Sequence, residues 1–181
     1  DNEKILRSSP LLESYNKNNI EVLILDDKEI DEIITPTMGA YKDWEFKDIT
    51  ACEPPKVEQS EEAKKEVEEK FQDITKKIKD KLGDAVKDVK VTNRLSESPS
   101  CVVKDVADAQ MAQMAHIFRQ MGQAMPESAP ILEINPEHEI VKKLNGCPDE
   151  STIEDVSWIL LDQAKLSEGM EITDTVAFAK R

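Results

Sequence analysis

Ala63, Val67, Phe71, Ile74, Ile78 and Leu82 recur at steps of four, four, three, four and four. That spacing lines them up on one stripe of an α-helix, opposite a face rich in Glu and Lys. Ser60 stands where an N-cap belongs, Glu61 and Glu62 complement the positive end of the helix dipole, and Gly83 follows the last turn. A long helix with one apolar edge needs a layer to lie on. The alternating stretch 86–95 (VKDVKVTNRL) and the short apolar runs 100–104 and 131–134 read as the strands of that layer. The run 100–104 is expected to pair with 86–95 across the Ser/Glu/Pro turn between them.

Upstream, residues 9–18 read as the end of a helix with Pro10 in its first turn. The run Ile20-Glu21-Val22-Leu23-Ile24-Leu25 reads as a buried strand, 28–34 as a short helix closed by Pro36, and 42–49 as a second strand. Composition shifts at Glu53-Pro54-Pro55-Lys56, which marks a linker. The expectation is a mixed α/β (α+β) chain: a small α/β piece over residues 1–52, then a helix-rich domain with a short sheet over 57–181. Further helices are expected at 107–123, 136–144 and 151–168, with a last one from about Asp174. The chain opens on Asp1, not Met, and enters strand-forming sequence almost at once, as expected for a piece of a longer chain.

The net charge of −14 argues against binding nucleic acid or anionic membrane surfaces, both of which call for clustered Lys and Arg. No apolar run approaches the roughly 20 residues of a membrane span. Cys52, Cys101 and Cys147 are scattered and odd in number, which favours free thiols in a reducing compartment. His116 and His138 are too few and too separated for a zinc site. No phosphate-binding glycine loop, G-x-S-x-G elbow or H-E-x-x-H motif is present, and the carboxylates are too dense for any one pair to mark a catalytic site.

Two stretches stand out. Met111, Met114, Phe118, Met121 and Met125 step by three, four, three and four, with Ile117 beside them, so they share one helix face. Methionine is flexible and polarisable, which suits a surface that adapts to varied apolar partners; a methionine-heavy core helix satisfies the same pattern. The second stretch is the tail, where Ile153, Val156, Trp158, Ile159, Leu160, Leu161, Ala164, Leu166 and Met170 spread apolar residues over more than one helix face. Such a helix must be covered on two sides. A partner subunit pairing symmetrically into a four-helix bundle would do so, and so would the domain's own sheet.

The order of landmarks resembles the heat shock protein 90 family, in its bacterial form. Ser8-Ser9-Pro10, Ile20-Glu21-Val22-Leu23 and Ile30-Asp31-Glu32 are similar to the end of that family's middle domain. The similarity continues through Leu82-Gly83, residues 86–95, Ser98-Pro99, Gln113-Met114-Ala115, Phe118, residues 132–138 (LEINPEH) and Leu161-Asp162-Gln163-Ala164.

The resemblance implies that residues 1–52 close the middle domain and that 57–181 form the C-terminal dimerisation domain, ending in helices of a dimeric four-helix bundle. Val156, Trp158, Ile159, Leu160, Leu161, Ala164, Leu166, Val176 and Phe178 are then the expected dimer interface. The methionine-rich helix would project into the dimer cleft, with Met111, Met114, Ile117, Phe118, Met121 and Met125 contacting unfolded or partly folded client proteins. The first apolar family position falls on Gln110, with Met111 displaced by one. The resemblance places ATP and magnesium in the N-terminal domain of the whole protein, so no cofactor and no catalysis are expected of this chain. The ending Phe178-Ala179-Lys180-Arg181 lacks the E-E-V-D of cytosolic eukaryotic relatives, as expected of a bacterial-type, cytoplasmic member. A purely structural dimerisation module without client contact is the alternative.

Overall fold

A computed structural model describes residues 2–27, 30–31, 34, 38–53, 61–105, 128–172 and 174–181. The expected helix at 107–123 and residues 54–56 of the linker expected at 53–56 lie outside the described residues.

The centre of the fold is a three-stranded sheet of β3 (Asp88–Val91), β4 (Ser100–Val103) and β5 (Ile131–Ile134). β5 lies in the middle, parallel to β3 (Asp88 opposite Ile131) and antiparallel to β4 (Val103 opposite Ile131). The expected hairpin between 86–95 and 100–104 therefore does not form. The connection is taken up by its own anchors: Asn135 donates to the Pro99 carbonyl through its backbone N–H and to the Ser98 carbonyl through its side chain. Those bonds extend the β4–β5 pairing beyond the strand end.

The long amphipathic helix is α3 (Glu61–Leu82), following the short α1 (Asn2–Arg7) and α2 (Glu13–Lys17). Phe71, Ile74, Ile78 and Leu82 are buried, and Val67 packs at the edge of the same core. Gly83 has φ 53°, a left-handed turn that glycine takes without strain. Lys79 Nζ donates to the Gly83 and Val86 carbonyls at 2.7 and 2.9 Å and so closes the helix end. Val89, Val102, Leu132 and Ile134 from the sheet complete this core, together with α4 (Glu139–Asn145) and α5 (Glu150–Ser167). His138 caps α4, its Nδ1 accepting the Ile140 N–H at 3.2 Å, which gives that histidine a structural role.

The other face of the sheet is also covered. Leu11, Leu95, Cys101, Val103 and Ile131 form a second cluster with Ile49 against it. β4 is buried at all four positions, which is why it reads as a continuous apolar run and not an alternating one.

Two sequence expectations fail upstream. Residues 20–27 form no strand, and Ile20, Leu23 and Leu25 are exposed. A strand needs a hydrogen-bonded neighbour, and none pairs with this run among the described residues. The strand expected over 42–49 is instead a small hairpin, β1 (Ala40–Tyr41) with β2 (Trp44–Glu45). Lys42, in the left-handed region at φ 54°, reverses the chain inside the expected strand.

Candidate interaction surface of the C-terminal helices

Helix α5 starts at Asp149, whose carboxylate accepts the Thr152 backbone N–H at 3.0 Å and the Thr152 hydroxyl. These bonds and that of the Ser151 N–H hold the Asp149 carboxyl below its ordinary range. Ile153, Ser157, Leu160, Leu161 and Ala164 make its inner face, each no more than 1% exposed. Ser100 Oγ donates to the Leu160 carbonyl at 2.8 Å, which ties the helix to β4. Lys77 and Lys81 of α3 reach Glu150 at 3.1 and 3.3 Å across the outer edge.

Part of the outer side of α5 is covered by α6 (Thr175–Lys180), capped by Asp174 through the Ala177 N–H at 2.8 Å. Arg181 carries the contact. Its Nη1 donates to Asp162 Oδ2 at 3.4 Å, its Nε lies 4.0 Å from Asp155 Oδ1, and its guanidinium carbon sits 5.0 Å from the Trp158 ring centre. Burial pushes the Asp162 carboxyl above its usual range, although Arg181 and Lys165 pull it back towards the ionised form.

The nine tail residues expected at an interface divide into two groups. Leu160, Leu161 and Ala164 belong to the chain's own core and have no surface left for a partner. This corrects the expectation for those three: the tail pattern mixed an inner face serving the domain's sheet with an outer face. Val156 and Trp158 are half-buried at the edge of the core, and Ile159 and Phe178 are half-buried too. Leu166 and Val176 are 47% and 62% exposed, and Met170, between α5 and α6, is 40% exposed. Ile159 and Leu166 are seven residues apart and share the outer face of α5. The client-contact residues Met111, Met114, Ile117, Phe118, Met121 and Met125 lie outside the described residues.

Sequence reasoning missed the polar anchors Arg181, Asp155, Asp162 and Ser100. Asp162 and Ser100 are small or acidic residues inside helical or strand patterns, where burial depends on what folds over them, and Asp155 stays exposed. Among the described residues there is no group of three or more His, Cys, Asp or Glu placed to hold a metal ion, and no helix is long and apolar enough to cross a membrane.

The family described as Hsp90 protein matches residues 1–181. The chain is similar to the chaperone protein HtpG of Aliarcobacter butzleri strain RM4018, 88% identical over 181 residues, which is all of this chain and 28% of that protein. The HtpG chaperone of Sulfurovum sp. strain NBC37-1 is 59% identical over 179 residues, 99% of this chain and 28% of that protein. That of Treponema denticola is 45% identical over 185 residues, all of this chain and 29% of that protein. The chain thus spans less than a third of the length of these curated relatives.

Proposed function

Because this chain belongs to the heat shock protein 90 family, we propose that it is the dimerisation and client-contact part of an ATP-dependent chaperone in the bacterial cytoplasm. The observation that carries the pairing role is the apolar outer rim of the terminal helices. Leu166, Met170 and Val176 stay 40–62% exposed beside half-buried Ile159 and Phe178, after α5 has already filled its own core. Two such rims meeting about a two-fold axis would bury them in a four-helix bundle of α5 and α6 from each protomer. Contact with clients is assigned to the methionine-rich face, on the family resemblance and the adaptability of methionine. Nucleotide and magnesium chemistry belongs, in this reading, to the N-terminal domain of the whole protein, and residues 1–181 act by holding two protomers on one cleft.

Light scattering over a dilution series tests the pairing. A dimer persisting to low micromolar concentration, and weakened by Leu166→Ser with Val176→Ser, is the expected result; a monomer at every concentration would overturn it. Replacing Met114 and Phe118 with Ser should weaken binding of an unfolded model polypeptide while leaving the dimer intact. Unchanged binding would leave a purely structural dimerisation module.

A further inference from the structure

We infer that residues 94–98 form a two-way latch that locks the upstream segment, residues 9–15 and 48–52, to the sheet and helices of the C-terminal unit. Each side of the latch sends one charged side chain across to backbone groups of the other. From the upstream side, the Glu13 carboxylate accepts the backbone N–H groups of Ser96, Glu97 and Ser98, the latter two at 2.9 and 3.1 Å. From the loop side, Arg94, only 4% exposed, donates to the Ile49 carbonyl at 3.3 Å and to the Cys52 carbonyl at 3.2 Å.

The loop is in turn fixed to the sheet. Arg94 Nε lies 2.7 Å from Glu133 Oε2 in the central strand, off the N–H axis, so the contact is ionic more than directional. The chain beyond the loop enters β4, where Ser100 holds α5. Two more bonds cross the same boundary: the Lys104 N–H to the Thr50 carbonyl at 2.9 Å and Ser9 Oγ to Glu168 Oε1 at 2.6 Å. Leu11 and Ile49 fill the apolar space between these anchors.

A buried guanidinium that loses one partner leaves charge and N–H groups unsatisfied, so it tolerates few intermediate positions. The Arg94 backbone is in the same short loop that Glu13 organises. Releasing Glu13 therefore frees Arg94, and with it a segment that Glu13 does not touch. This coupling does not depend on the chain being a dimer.

Hydrogen exchange read by mass spectrometry on the whole chain tests it, with Glu13→Gln as the first variant and Glu97→Gln as the loop control. The amides of Ala51 and Cys52, both bonded to the Asp48 carbonyl, report on the distant segment. Glu13→Gln should speed their exchange roughly tenfold together with that of the loop, while amides of α3 keep their rates. Arg94→Lys should speed exchange at Leu11 and Leu12 in the other direction. Acceleration confined to residues 9–18 and 94–98 in the first variant would overturn the latch, because the anchors would then act independently. Acceleration spread uniformly over the chain would overturn it too, since Glu13 would be acting on global stability alone. A monomeric wild-type chain would count against the pairing proposal and leave this test intact.

Discussion

The Arg181 guanidinium carbon lies 5.0 Å from the centre of the Trp158 ring, with the Asp162 carboxylate 3.4 Å from Nη1 of the same side chain. One residue beyond α6 thus fixes that helix on α5 by a ring face and a carboxylate together.

Arg181→Ala should release α6 while leaving the sheet and α3 intact. A partly exposed cation–ring contact is worth about 0.5–1 kcal/mol, so the urea midpoint should move only slightly. Fluorescence gives the sharper readout. Of the two tryptophans, Trp44 is 77% exposed and can be silenced with Trp44→Phe. In that background Arg181→Ala should shift Trp158 emission to the red, and an unchanged spectrum would mean that the ring is shielded by something else.

Folding and pairing should separate on the two sides of α5. Ile153 is fully buried at the centre of the core, and Ile153→Ala should cost about 2–5 kcal/mol in equilibrium urea unfolding. Val176→Ser changes a side chain that is 62% exposed and should stay within about 0.5 kcal/mol in the monomer. Its effect should appear in the dimer dissociation constant. The opposite ranking would place Val176 in the folding core and remove it from the interface.

Two carboxylates should give stability opposite pH dependences. Burial pushes the Glu13 carboxyl up, but the hydrogen bonds from the Ser98 side chain and the three loop N–H groups outweigh it and hold the pKa below 4.5. Its contribution is therefore present above pH 4.5 and is lost as pH falls through the lowered value, so the gap between wild type and Glu13→Gln should close on acidification. Glu168 lies the other way: burial raises its pKa above 4.5, only partly offset by the Ser9 hydrogen bond. Its contribution is full below 4.5 and is lost as pH rises through the raised value, so Glu168→Gln should gain on wild type over that window. Urea titrations at stepped pH check both, and parallel curves for either variant would discard that assignment.

The amino-acid order alone determined what depends on local periodicity and capping. The stripe from Phe71 to Leu82 became the buried face of α3, and Asp174 and Gly83 stand at helix ends where a short polar side chain or glycine satisfies the chain. The family landmarks, spread from Ser8 to Ala164, were legible for the same reason: they are linear. Only the tertiary structure decided which strand lies between the other two, because the order depends on hydrogen bonds between residues far apart in the chain, which Asn135 extends to Ser98 and Pro99. It also decided that Leu160, Leu161 and Ala164 serve the domain's own core while Leu166 and Val176 face outward. An apolar helix records that it must be covered, but not by what. The anchors Arg94 and Glu13 were invisible in the sequence, because a charged residue shows its burial only when a distant segment supplies the groups that satisfy it.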